Sequence, residues 1–184
     1  MAIRDNIKKI KVSDKILLKQ IELSDAEDIF KTIDNQRDYL GKWLPFVALS
    51  INIENTVFFI NKMLEDTHEN YVFVIHYESE FAGLIGFKGN DKQNRRIEIG
   101  YWLSEPFQKK GIVTQSVKSL CKFAFDELEI NRIQIRCAVG NLPSKSIPQN
   151  LGFVFEGVER AGERLTGGIY TDLEVYSMLK SDKK

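Results

Sequence analysis

The stretch Gln108-Lys109-Lys110-Gly111-Ile112-Val113-Thr114 joins a strand-like run to a strongly amphipathic helix, and its reading decides the fold. Upstream stands Ile97-Glu98-Ile99-Gly100-Tyr101-Trp102-Leu103, rich in β-branched and aromatic residues and ended by a break at Pro106. Downstream, Val113, Val117, Leu120, Cys121, Ala124, Phe125 and Leu128 recur at helical spacing on one face. A loop that feeds a helix N-terminus gathers unpaired backbone N–H groups at the positive end of the helix dipole, which suits a phosphate or pyrophosphate. Lys109 and Lys110 add charge, and Gly111 admits an anion close to the backbone. Two lysines alone would read equally well as a solvated loop; the glycine and the helix behind them favour a phosphorylated cofactor.

Working outward, Ile16 to Glu22 reads as a first strand, followed by a helix capped at Ser24 or Asp25 and running toward Tyr39. A second helix spans about Glu54 to Glu65. Tyr71–His76 and Phe81–Phe87 form a strand pair around the polar turn Glu78-Ser79-Glu80. The Arg95–Leu103 strand, the loop and its helix to about Glu129 follow. Ile133, Ile135 and Cys137 alternate with Arg132, Gln134 and Arg136 in a further strand. A short helix near Ser144–Asn150 and strands at Phe153–Arg160 and Ile169–Met178 close the order, an α/β fold with a mixed sheet and no domain boundary. The order is not Rossmann-like, since three adjacent strands precede the loop; Gly83, Gly86 and Gly89 do not make a G-x-G-x-x-G, and no GK[ST] exists.

The bulk numbers exclude several classes. Lys plus Arg and Asp plus Glu both total 26 in 184 residues, so no global field draws the chain to nucleic acid or an anionic membrane. With no long apolar run and no signal-like N-terminus, a cytoplasmic location is expected. Cys121 and Cys137 fall on core faces and match no metal spacing, so no metal is expected. His68 and His76 lack metal or triad partners nearby, which leaves a cysteine nucleophile without a base.

Taken together these residues resemble the GNAT superfamily of acyl-CoA-dependent N-acetyltransferases. Gln108 to Val113 fill that family's Q/R-x-x-G-x-G/A loop, with Val113 departing from the small last position. The run from Asn35 through Arg37, Leu40, Trp43 and Leu44 to Pro45 is similar to the N-R-x-x-L-x-x-W-L-P signature of the RimJ/RimL-like branch. Asn141, Ser144, Ile147, Pro148, Leu151, Gly152 and Phe153 match its N-x-x-S-x-x-I-P-x-x-L-G-F. The likeness runs from about Lys15 to Leu179. It implies a single GNAT domain with a mostly antiparallel sheet flanked by helices, and attack of a neutral amine on acetyl-CoA through a tetrahedral intermediate.

The resemblance also distributes roles. N–H groups from Lys109 to Thr114, including Ile112 and Val113, would hold the pyrophosphate, with Gln108 at the head of the loop. Tyr101, Trp102 and Leu103 would lie along the pantetheine arm and supply an oxyanion donor, and Asn141 would bond its far side. Ser144 would protonate the leaving thiolate or, more plainly, cap its helix. Glu163 is the expected general base and Glu98 its rival, buried so that its pKa would rise. Trp43 and Leu44 would border the acceptor or plug the core, and Tyr170 would face the acceptor or pack. The expected acceptor is the α-amine at a protein N-terminus, as on a ribosomal protein. Small amines (an amino acid, polyamine or aminoglycoside) and a non-catalytic acyl-CoA sensor are the alternatives, and the branch implies a homodimer.

Overall fold

Alternation of apolar and polar residues builds one eight-stranded sheet in the order β1-β2-β3-β4-β5-β6-β8-β7. The computed structural model describes residues 8–65 and 71–182, so His68 lies outside the described residues. The strands are β1 (Lys9–Lys11), β2 (Ile16–Gln20), β3 (Val72–Tyr77), β4 (Glu80–Asp91), β5 (Arg96–Leu103), β6 (Arg132–Ala138), β7 (Val154–Arg164) and β8 (Tyr170–Leu179). The helices are α1 (Ala26–Asn35), α2 (Arg37–Gly41), α3 (Ile53–Glu65), α4 (Ile112–Asp126) and α5 (Leu142–Asn150). Every neighbouring pair is antiparallel except β5 with β6.

Two cores flank the sheet. On one face Ile97, Ile99, Ile133 and Ile135 meet Val117, Leu120 and Ala124 of α4 and Ile147 of α5. On the other, Val74, Leu84 and Trp102 meet Ile29 and Ile33 of α1 and Ile60 of α3. The β3–β4 hairpin turns on Glu78 (φ 50°) and Ser79 (φ 74°), the doubly left-handed turn that matches strand twist. The parallel β5–β6 pair runs only from Arg96↔Arg132 to Glu98↔Gln134, although β5 continues to Leu103 and β6 to Ala138. The inner edges of the two central strands therefore part toward their C-terminal ends.

Three expectations need correction. The helix expected from Asp25 to Tyr39 breaks at Gln36 (φ −131°, ψ 31°), giving α1 and α2. The short helix begins at Leu142, two residues earlier than expected, because Asn141 caps it and a proline occupies its first turn. The three-residue β1 was not anticipated.

Carboxylates on the sheet face opposite α4 fasten β7 to the centre. Arg132 donates twice to Glu156 (2.6 Å each) and Ser177 Oγ donates to it at 2.8 Å. The Arg132 guanidinium, helped by Ser177, holds the Glu156 carboxyl down at about 2. A depressed carboxyl binds its proton more tightly in the unfolded chain, so this stabilisation is complete above about pH 4.5 and is lost as pH falls toward 2. Tm is expected to stay level from about pH 7 to pH 5 and to fall below that, and Arg132→Ala should make the acid fall shallower. A scan of Tm against pH on both proteins checks this.

Candidate active site

A cleft of about 600 Å³ opens where β5 and β6 part. The end of β5 lines one side with Tyr101, Trp102 and Leu103, and the loop after it adds Phe107, Gln108 and Lys109. Gly111, Ile112, Val113 and Thr114 bring in the N-terminus of α4. Opposite stand Asn141 to Ser144 at the start of α5. Tyr39, Leu40, Trp43 and Leu44 close the remaining side. Lys110, Glu98, Glu163 and Tyr170 are not on the cleft wall.

Gly111 is the N-cap of α4 at φ 69°, ψ 10°, and Lys109 is also left-handed at φ 62°. With no side chain at the cap, the first N–H groups of α4 keep no intrahelical partner, and the residues that carry them line the cleft. A Cβ at Gly111 would meet only Gln115 Nε2, at 3.6 Å, so the cap is open on that side. That open cradle of N–H groups fits a phosphate-bearing cofactor. The Lys110 ammonium turns away, over the rings of Tyr77 (5.0 Å) and Phe107 (5.1 Å).

At the inner end, Tyr101 Oη–H donates to the Ser144 carbonyl at 3.1 Å and lies 3.3 Å from Ser144 Oγ. Ser144 Oγ–H reaches Cys137 Sγ at 3.4 Å. Burial pushes the Tyr101 phenol far above its ordinary value and raises the Cys137 thiol as well. The cap of α5 belongs to Asn141, whose Oδ1 accepts from Ser144 N at 3.2 Å. The capping role expected of Ser144 therefore falls to Asn141, and the serine hydroxyl is left for the cleft.

Glu98 is only 6% exposed. Its carboxylate accepts from Gln134 (3.0 Å) and Arg136 (2.8 Å) and pairs with Lys88 (2.8 Å). Burial alone would raise its pKa as expected, but Lys88, Gln134 and Arg136 outweigh burial and hold it below the usual carboxylate range. The expected upward shift is thus corrected. Glu163 is half-buried near the end of β7, paired across from Thr171, and Tyr170 is 63% exposed at the start of β8.

Gln36, Arg37 and Tyr39, at and after the α1–α2 break, were given no role from sequence. Gln36 Nε2 donates to Ser104 Oγ (2.8 Å) and its Oε1 accepts from Glu105 N (2.9 Å). Gln108 donates to the Tyr39 hydroxyl, so cofactor loop and α2 are tied directly. Arg37 donates to the carbonyls of Val47 (3.0 Å) and Ser50 (2.6 Å) while pairing with Asp34, which fixes the loop carrying Trp43 and Leu44. Only the signature arginine gave any hint of this in the sequence.

Residues 15–154 match the acetyltransferase (GNAT) domain family. YdaF of Bacillus subtilis (strain 168), named as a candidate ribosomal N-acetyltransferase, is 34% identical over 178 residues, covering 94% of this chain and 95% of that protein. The ribosomal-protein-serine acetyltransferase of Escherichia coli (strain K12) is 30% identical over 173 residues, covering 92% and 96%. Among solved structures, the microcin C7 self-immunity acetyltransferase MccE in complex with acetyl-CoA and AMP superposes with a TM-score of 0.90 at 32% identity, over 95% of this chain and 97% of that one. With the sheet, the N–H cradle and these relatives in agreement, the chain belongs to the GNAT acetyltransferases and is an acetyl-CoA-dependent N-acetyltransferase.

Proposed function

We propose that this enzyme acetylates the N-terminal α-amine of a protein, of the ribosomal-protein class. The observation that carries this reading is full-length similarity to two relatives named for ribosomal acetylation, at 34% and 30% identity. Acetyl-CoA supplies an activated acyl carbonyl and a thiolate leaving group. Gly111 to Thr114 bind its pyrophosphate through backbone N–H groups at the head of α4, and Tyr101 to Leu103 present the parted edge of β5 to the rest of the arm. A backbone N–H of that edge is the oxyanion donor. Asn141 spends Oδ1 on the α5 cap and keeps its Nδ2 donors for the same arm.

Ser144 Oγ–H gives its proton to the departing sulfur, and the proton lost by the amine ultimately replaces it. Glu163 takes the amine proton through water, since it stands off the cleft wall. Glu98 suits the role poorly, because its three donors make it a weak base. Trp43 and Leu44, held by Arg37, flank the incoming amine.

A small-molecule acceptor is the second reading, favoured by the 0.90 TM-score to an enzyme solved with AMP. Free-thiol release from acetyl-CoA is to be measured against serine-initiated peptides, spermidine, a free amino acid and an aminoglycoside. Turnover on the peptides is expected; turnover confined to the small amines would overturn the protein-substrate reading. Light scattering on the same sample tests the homodimer, for which the β7 edge offers exposed Val154, Phe155 and Val158. A single-chain mass would remove it.

A further inference from the structure

Proline inside a helix is costly, and α5 carries one at Pro148, buried and third from its end. A proline lacks the N–H that would bond the carbonyl four residues back, and its ring crowds that carbonyl. Four residues back is Ser144. The Ser144 carbonyl, left without a helical donor, accepts Tyr101 Oη–H at 3.1 Å instead. The two facts belong together: the missing helical bond and the tyrosine contact share one oxygen atom.

We infer that Pro148 is a positioning residue for acetyl transfer, freeing the Ser144 carbonyl to orient Tyr101 and so fix the direction of the Ser144 hydroxyl. The proton accounting supplies the reason. A carbonyl only accepts, so the single phenolic proton of Tyr101 is committed to it. The one proton of Ser144 Oγ then faces two acceptors, Tyr101 Oη at 3.3 Å and Cys137 Sγ at 3.4 Å, with no phenolic proton pointed back at it. Ser144 is held as a proton donor, the role required of a group that protonates a leaving thiolate. With an N–H at position 148, that donor would compete for the carbonyl and weaken the Tyr101 contact, letting the phenol turn its proton toward Ser144 Oγ. The hydroxyl would then be an acceptor facing a phenol, with its own proton sent elsewhere. The phenol's own proton, given to the carbonyl, is not available to take the serine's place.

The inference rests on Ser144 as proton donor, so the test includes Ser144→Ala beside Pro148→Ala, Tyr101→Phe and the double variant. The probe is a serine-initiated peptide, or spermidine if the unaltered enzyme turns over only small amines. Pro148→Ala is expected to lower kcat roughly tenfold, the scale of one misdirected hydrogen bond, with both KM values within about twofold. Tyr101→Phe should do the same. Because both act on one contact, the double variant should be no worse than the poorer single one. The coenzyme A-induced rise in Tm reports folded, binding-competent protein in each case. Unchanged kcat in Pro148→Ala, or two losses that multiply, overturns the inference while leaving Ser144 its role if Ser144→Ala is impaired. Undiminished turnover by Ser144→Ala overturns that role and this inference with it.

Discussion

Replacing Ser144 with alanine is expected to lower kcat about 100- to 10,000-fold, the range for loss of a positioned proton donor. Its two neighbours cannot substitute. The Tyr101 proton is donated to the Ser144 carbonyl, which the alanine variant keeps, and Cys137 does not line the cleft. Cofactor binding should survive, because the cap of α5 is made by Asn141 and the N–H cradle lies at the head of α4, away from the serine. The coenzyme A-induced rise in Tm should therefore match that of the unaltered enzyme, and KM for acetyl-CoA should change little. Ser144→Thr, which keeps the hydroxyl, should recover part of the rate. A kcat within about tenfold of the original would assign the proton to another group.

Gly111→Asp is expected to raise KM for acetyl-CoA by about 100-fold, whereas Gly111→Asn should raise it only a few-fold. Both residues tolerate the left-handed φ of 69° found here, so the pair separates charge from backbone strain. Both also place a side chain at the head of α4, where a Cβ meets only Gln115 Nε2. Only aspartate sets a negative charge beside the place a pyrophosphate must take, and two like charges about 6 Å apart repel by about 2.8 kcal/mol, or about 100-fold, near a protein surface. The same aspartate interacts favourably with the helix dipole by about 0.3–1 kcal/mol, so the ligand-free Tm should hold or rise as affinity falls. Titration of coenzyme A by Tm shift measures both effects in one experiment. Equal losses for the two variants would point to crowding rather than charge.

Much of this arrangement was legible in the chain because it rests on local pattern. Alternation in Ile133, Ile135 and Cys137 and helical spacing from Val113 to Phe125 each carry their own periodicity, and the structure buries those residues on one core. Gly111 announced a tight approach, and its left-handed backbone supplies one. What stayed hidden depends on partners distant in sequence. The break at Gln36 has no glycine or proline to mark it; its side chain bonds Ser104 and Glu105, sixty-eight and sixty-nine residues away. The direction of the Glu98 shift depended on Lys88 and Arg136 arriving from two neighbouring strands, which burial by itself cannot foretell. Pro148 was visible as a motif letter, but its effect lay in a carbonyl four residues back and a tyrosine on another strand.

The short β5–β6 register has a consequence for how the molecule comes apart. Three residue pairs join a five-stranded body, β1 to β5, to a three-stranded one, β6 to β8. Each body carries its own antiparallel pairings, so each is a natural unit of partial opening, with a seam of three residue pairs between them. A ligand whose amides bond both parted edges adds rungs across that seam. Its binding energy then accrues to the seam more than to either body, and two units that can open separately are welded into one. Cooperativity in this fold is thus not a fixed property of the chain, and is set by whether the seam is bridged.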